Sequence, residues 1–116
     1  MKIKESKIGI LIRTKNRPLC LERAIVHIIS QTFKNWHMHI LNDGGNFEEV
    51  ERIIKNYDSR IDGRVTLYDN RYSVGRGNAL SQLISYSSEE YLLINDDDDN
   101  IAVSYTHQTL PTILLV

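Results

Sequence analysis

Short apolar runs alternate with amphipathic segments along most of the chain. Residues 8–12 are apolar at almost every position, which is typical of a central strand covered on both faces. Pro18 can then begin a helix, because apolar residues recur after it at three- and four-residue spacing: Leu21, Ala24, Ile25, Ile28 and Ile29. This first pair of segments predicts a β-α unit.

The same alternation continues to about residue 94. Further strands are predicted over residues 36–41, 65–68 and 91–94, and further helices over residues 47–57 and 78–86. Polar residues 42–45 are expected to end the second strand, and Asn46 to cap the helix that follows. Strands that alternate with helices predict an α/β fold with a mostly parallel sheet and right-handed crossovers.

Polar side chains follow three of the predicted strands. The pairs are Thr14 and Asn16, Asn42 and Asp43, and Asn95 and Asp96. Ligands of open α/β sheets bind beyond the carboxyl ends of the strands, where these pairs would converge. Each pair alone is also explained by ordinary turn or helix-start chemistry. Together they predict a ligand-binding crevice.

Four consecutive carboxylates, Asp96 to Asp99, follow the apolar run of the fourth strand. Two carboxylates about 5 Å apart repel by roughly 3 kcal/mol at an effective dielectric constant near 20, so a divalent cation would stabilise this cluster. Mg²⁺ and Mn²⁺ prefer carboxylate oxygens and keep positions open for water or phosphate. A solvated acidic loop is the alternative. A calcium loop of the EF-hand type is disfavoured, because Ile101 and His107 stand where it needs glycine and glutamate.

Length and charge restrict the function further. The 116 residues make at most one domain, which is short for an enzyme with two substrates. With 14 Lys and Arg against 15 Asp and Glu, the formal charge of −1 gives no field that favours nucleic acid or an anionic membrane. The single cysteine, Cys20, rules out an internal disulfide, and charged residues interrupt any signal peptide or membrane span. We expect a cytoplasmic location, with membrane association of a longer protein left open.

In their order along the chain, these polar motifs resemble those of family 2 of the glycosyltransferases, the nucleotide-sugar enzymes with the Rossmann-like GT-A fold. The resemblance covers about residues 7–101 and rests on these segments: Thr14–Pro18, Ser30–Trp36, Asn42–Gly45, Asn78 and Asp96–Asp99. It implies transfer of a sugar, with inversion, from a nucleoside-diphosphate sugar to an acceptor hydroxyl. It also implies Mn²⁺ or Mg²⁺ as cofactor and a UDP- or dTDP-sugar as the favoured sugar donor, whereas the acceptor is unknown.

The resemblance also implies roles for single residues. Those implied to contact the sugar donor are Thr14, Asn16, Arg17, Asp43, Arg76 and Asp96. Among them, Asp43 would accept a hydrogen bond from a ring N–H of uracil or thymine. Asp98 and Asp99 are implied to hold the metal that bridges the two phosphates. The chain departs from the family at Lys15, where an aromatic residue is frequent, and at Asn42, where aspartate is more usual.

Two other functions stay open at this point. A nucleotidyltransferase of similar fold should carry a glycine-rich phosphate loop after its first strand, whereas residues 14–18 contain no glycine. A non-catalytic module that binds nucleoside diphosphates is the alternative from a different class. The glycines of residues 75–77 do not indicate a dinucleotide site, since the third glycine is lacking. The histidines His27, His37 and His39 are predicted on the surface of the domain.

The end of the chain is expected to differ in origin from the rest. Residues 1–102 are predicted to be the nucleotide-sugar-binding part of an incomplete GT-A domain, and residues 103–116 a non-native tail. Residues 103–107 can be reverse translated into a transposon-end sequence used in sequencing adapters. Family members continue past the metal motif into an acceptor-binding half that supplies the catalytic base. We therefore expect this fragment to be inactive alone.

Overall fold

The computed structural model describes residues 8–32 and 35–95, together with the backbone of a strand at residues 102–106. Its strands are β1 (Ile8–Thr14), β2 (Trp36–Asp43), β3 (Val65–Asn70), β4 (Tyr91–Asn95) and β5 (Ala102–Thr106). Its helices are α1 (Pro18–Ile29), α2 (Phe47–Asn56), α3 (Asp58–Ile61) and α4 (Arg76–Tyr86). The strand order is β3-β2-β1-β4-β5, in which the first four strands are parallel and β5 is antiparallel to β4. The predicted α/β fold with a mostly parallel sheet is confirmed.

Each face of the sheet packs against its own helices. On the first face, sheet residues pack with α1, α2 and α3; the buried residues there include Ile10, Ile12, Met38, Ile40, Leu21, Ile25, Val50, Ile53 and Ile61. On the second face, the sheet packs with α4; the buried residues there are Leu11, Leu41, Leu92, Ala79, Leu83 and Ile84. Because β1 contributes to both cores, its sequence is apolar at consecutive positions.

The first two helices lie where their periodicity predicted them. Pro18 is the first residue of α1, and its buried residues are the five that the pattern indicated. The Asn46 cap of α2 is confirmed, since its Oδ1 accepts a hydrogen bond from the Glu49 N–H at 3.3 Å. The short α3 was not predicted, because four residues are too few to form a periodic pattern. No described helix has the length and apolarity that a membrane crossing requires.

Several element boundaries differ from the predicted ones, among them the end of the second strand and the start of the last helix. The second strand was expected to end before Asn42, yet β2 continues through Asp43. Its last residues pair with both neighbouring strands, Asn42 with Thr14 of β1 and Asp43 with Asn70 of β3. Backbone pairing on two sides therefore overrides the turn propensity of this polar segment. Helix α4 begins at Arg76, two residues earlier than predicted.

Four of the five residues of strand β5 lie in the segment expected to be a non-native tail. Its backbone pairs Ala102 with Asn95 and Thr106 with Tyr91, next to β4. The different origin of residues 103–116 stays a prediction. Because β5 pairs with β4, deleting the tail would remove the outer neighbour of β4. The effect of this deletion on stability can be measured.

One of the three histidines is not on the surface as predicted. His39 is only 5% exposed, and its ring nitrogens lie 2.8 Å from the Tyr68 hydroxyl and 2.9 Å from Glu89 Oε1. Glu89 reaches it over Gly9 of β1, where an added Cβ would lie 2.5 Å from the same Oε1 atom. The acidic partner is 50 residues away in sequence, so local spacing gave no sign of it.

Candidate functional site

The carboxyl ends of β1, β2 and β3 form one edge of the sheet, which we call the carboxyl edge. Three loops leave the strands there: residues 15–17, residues 44–46, and residues 71–75, named the 71–75 loop below. The register places Thr14 beside Asn42 and Asp43 beside Asn70 at this edge. The polar residues after the first two strands therefore converge as the sequence predicted.

The 71–75 loop is bound to the carboxylate of Asp43, which has no exposed surface. Asp43 Oδ1 accepts a hydrogen bond from the Val74 N–H at 2.9 Å. Asp43 Oδ2 accepts from the Ser73 hydroxyl at 3.0 Å and from the Gly75 N–H at 3.2 Å. Three consecutive loop residues are thus held by one carboxylate on β2.

The same carboxylate forms a buried ion pair with Arg13 of β1. Nε and Nη2 of Arg13 lie 3.0 and 2.9 Å from Asp43 Oδ2, and the Arg13 side chain is 18% exposed. Asn70 donates to Asp43 Oδ1 at 3.2 Å and to Gln82 Oε1 of α4 at 2.7 Å. Asp43 therefore joins three strands, the 71–75 loop and, through Asn70, helix α4. Sequence reasoning missed Arg13, although a cation at the end of a buried strand requires a partner.

Burial and hydrogen bonding act in opposite directions on the pKa of Asp43. Burial alone raises it. Hydrogen bonds to the ionised form outweigh burial, and come from Val74, Asn70, Arg13 and Ser73. The net result lowers the pKa of Asp43 from 3.8 to about 2, so the carboxylate is ionised at neutral pH.

This lowered pKa predicts a stability change in acid. The unfolded chain takes up a proton at Asp43 near pH 3.8, and the folded chain only near pH 2. The stabilisation is therefore complete above about pH 4 and is lost as the pH falls towards 2. In urea unfolding at a series of pH values, the stability difference between wild type and Asp43→Asn should shrink over this interval. A difference that stays constant from pH 5 to pH 2 would contradict the assignment.

Gly44 allows the 71–75 loop to approach β2. Its φ is +90°, and an added Cβ would lie 2.7 Å from the Ser73 backbone nitrogen. The Gly44 N–H donates to the Asn70 carbonyl at 2.9 Å. On the other side of the loop, the Asn78 side chain donates to the Val74 carbonyl at 2.9 Å. The loop is therefore held from both β2 and α4.

Asn42 has an equally specific environment, on the opposite face of β2. Its Nδ2 donates to the Gly45 carbonyl at 2.8 Å and to Asp69 Oδ1 at 2.9 Å. Since both partners are acceptors, they fix which end of the amide points towards them. The Oδ1 of Asn42 is buried, and no residue in the described ranges donates to it. An aspartate here would face two acceptors.

The first loop is joined to the start of α2. Asn16 has a left-handed backbone with φ 53°, and its Oδ1 accepts from the Asn46 N–H at 3.2 Å. Thr14 is 2% exposed at the end of β1. The structure therefore brings Thr14, Asn16 and Asp43 to the carboxyl edge, but buries two of the three polar side chains that were predicted to contact a ligand.

The two predicted cationic residues lie at the starts of helices on this edge. Arg17 immediately precedes α1, and Arg76 is the first residue of α4; both are exposed. The predicted ligands Asp96, Asp98 and Asp99 lie outside the described residues. Within the described ranges, no three His, Cys, Asp or Glu side chains are grouped so that they could hold a metal. The metal site therefore stays a prediction from sequence.

Comparison with known proteins identifies the family. Residues 9–112 match the model of glycosyl transferase family 2, and the chain belongs to this family. It is 30% identical over 93 residues to an uncharacterized glycosyltransferase of Methanocaldococcus jannaschii, covering 79% of this chain and 32% of the relative. It is 27% identical over 96 residues to the Campylobacter jejuni GalNAc(5)-diNAcBac-PP-undecaprenol beta-1,3-glucosyltransferase, covering 82% and 30%. The chain thus spans about a third of the length of these relatives.

Solved structures give the same fold. The mannosyltransferase PcManGT from Pyrobaculum calidifontis, in complex with GDP-Man and Mn²⁺, is similar with a TM-score of 0.70 and 17% identity, over 81% of this chain and 28% of that one. S. aureus TarS 1-349 in complex with UDP-GlcNAc has a TM-score of 0.69 and 17% identity, over 90% and 29%. The fold is that of the GT-A glycosyltransferases, as the sequence resemblance implied.

Proposed function

We propose that this chain is the part of a family 2 glycosyltransferase that binds the nucleoside-diphosphate sugar. The observation that carries the proposal is the carboxyl edge, where motif residues far apart in sequence come together in a GT-A fold. The complete protein would transfer a sugar, with inversion, to an acceptor hydroxyl. Because the catalytic base is proposed to belong to an acceptor-binding half, this chain alone would bind the sugar donor without turnover.

The roles that we propose for single residues in binding the sugar donor follow from their position and charge. Arg17 and Arg76 are exposed cations at the carboxyl edge, which suits contact with a diphosphate. Thr14 and Asn16 close the end of β1, and we propose that they shape the wall beside the base or ribose. The base contact implied for Asp43 would compete with the hydrogen bonds that its two oxygens already accept. Asp43 is therefore also proposed to act by holding the 71–75 loop.

We propose Mn²⁺ or Mg²⁺ as cofactor, held by Asp98 and Asp99, with Asp96 near the ribose. The acidic run begins immediately after β4, which ends at Asn95 beside β1. Carboxylate oxygens suit either cation. When bound, the metal would neutralise charge on the departing nucleoside diphosphate. The Mn²⁺ in the mannosyltransferase complex supports this proposal.

A UDP- or dTDP-sugar is the proposed sugar donor. Related folds have been solved with UDP-GlcNAc and with GDP-Man, so the fold itself accommodates more than one base. The preference for uracil or thymine rests on the carboxylate at position 43, which can only accept hydrogen bonds when ionised.

Calorimetry with UDP tests the proposal. UDP should bind in the presence of Mn²⁺, and its affinity should fall at least about tenfold with a chelator, which corresponds to roughly 1.4 kcal/mol. The double variant Asp98→Asn and Asp99→Asn should show the same loss in Mn²⁺. Glu51→Gln, an exposed carboxylate on α2, is the matched control and should bind as wild type. Equal UDP affinity with metal and with chelator would contradict the metal role.

A further inference from the structure

The 71–75 loop presents an aromatic side chain at the carboxyl edge. Tyr72 is 79% exposed. The other exposed aromatic residues of the described ranges are Tyr91, which begins β4 at the opposite edge, and Tyr86, whose ring stacks on that of Tyr68 with 4.6 Å between the ring centroids. Tyr72 is thus the exposed aromatic residue at the edge where the polar motif residues converge.

The backbone on both sides of Tyr72 is held in place. Immediately after it, Ser73, Val74 and Gly75 all donate hydrogen bonds to Asp43. Two residues before it, Asn70 is the last residue of β3, and its side chain also donates to Asp43. Because the backbone on both sides of Tyr72 is already held, little backbone entropy is lost when its side chain contacts a ligand, which favours binding.

Asp43 itself presents no exposed surface for a ligand. Its Oδ1 accepts hydrogen bonds from Asn70 and Val74, and its Oδ2 from Arg13, Ser73 and Gly75. Affinity for a base at this edge therefore calls for another group with exposed surface. An aromatic ring fits, since every nucleobase has a π-face on which an aromatic side chain can stack.

We propose that Tyr72 is the residue on which the nucleobase stacks, and that the buried pair of Asp43 and Arg13 is a positioning group that holds its loop. This inference rests on the proposed sugar-donor site. It assigns base stacking to an exposed side chain of the 71–75 loop and gives the motif carboxylate a second role, in holding that loop. Base and phosphates would thereby be bound by separable parts of the site.

Separability can be measured with two ligands, UDP and inorganic pyrophosphate, both titrated in Mg²⁺ by calorimetry. Tyr72→Ala should weaken UDP binding about five- to a hundredfold, the range expected for loss of one base–aromatic stack. The same variant should change pyrophosphate binding less than about twofold, because pyrophosphate has no base. Tyr72→Phe and Tyr72→Trp should retain UDP affinity, since both keep the aromatic face.

Tyr91→Ala is the matched control, because it removes another exposed tyrosine at the opposite edge, and its UDP affinity should equal that of wild type. Wild-type UDP affinity in Tyr72→Ala would overturn the inference, as would an equal loss for UDP and pyrophosphate. If wild type binds neither ligand, the sugar-donor site itself is wrong, and the inference falls with it.

A separate set of binding measurements tests the positioning role of Asp43. In Asp43→Asn, the loop loses part of its anchor, so UDP binding should weaken more than pyrophosphate binding. Adding Tyr72→Ala to this variant should then cost less UDP affinity than it costs in wild type, because the ring is already poorly placed. Fully additive losses would show that the two residues act independently and would overturn this part of the inference.

Discussion

Replacing Asp43 with alanine is expected to lower the free energy of unfolding by about 3–5 kcal/mol, the usual range when one partner of a buried ion pair is removed. The variant would leave the Arg13 guanidinium largely buried without its carboxylate. It would also deprive the backbone N–H groups of Val74 and Gly75 of their acceptor. Urea unfolding at pH 7 measures the loss.

Glu51→Ala provides the comparison for that experiment. Glu51 is an exposed carboxylate on α2, and its replacement should change the stability by no more than about 0.5 kcal/mol. A loss below about 1 kcal/mol in Asp43→Ala would mean that the carboxylate does not organise the carboxyl edge as its hydrogen bonds indicate.

Asn42→Asp should destabilise the domain by about 2–4 kcal/mol, although it changes the residue to the one that is more usual in the family. The new carboxylate would face Asp69 Oδ1, now 2.9 Å from the Asn42 amide, and the Gly45 carbonyl at 2.8 Å. Neither neighbour can donate a hydrogen bond to it. Thermal or urea unfolding at pH 7 would record the loss.

A second substitution tests whether repulsion from Asp69 causes this loss of stability. Asp69→Asn supplies a side-chain amide that can donate to the new aspartate, so the double variant should recover at least about 1 kcal/mol of the loss. Asp69→Asn alone should have a small effect, since Asn42 would still find an amide oxygen there. Additive losses in the double variant would show that repulsion from Asp69 is not the reason.

The succession of elements could be predicted because it depends on local pattern. The buried positions of α1 follow from three- and four-residue spacing, and the unbroken apolar run of β1 follows from its place between two cores. Where an element begins or ends depends on distant partners. Strand β2 extends through Asp43 because strands on both sides pair with its last residues.

For the candidate site too, the location could be predicted from the sequence and the interactions could not. Its location at the carboxyl edge follows from the order of strands and polar residues, and was predicted for Thr14, Asn16 and Asp43. The interactions were not predictable, because Arg13 and Ser73 each lie 30 residues from Asp43 in sequence. The burial of His39 against Glu89 escaped prediction for the same reason. Residue identity alone also gave no sign that Asp43 is fully enclosed.

The hydrogen bonds that anchor the 71–75 loop leave residue 72 free to vary in sequence. Two of its three hydrogen bonds to Asp43 come from backbone N–H groups, which every residue except proline supplies. Ser73 is the loop position whose side chain takes part. Residue 72 can therefore be exchanged freely without disturbing the anchor. A tighter or weaker hold on the base could evolve, or be selected from a library at this position, while the hydrogen bonds that anchor the loop are left intact.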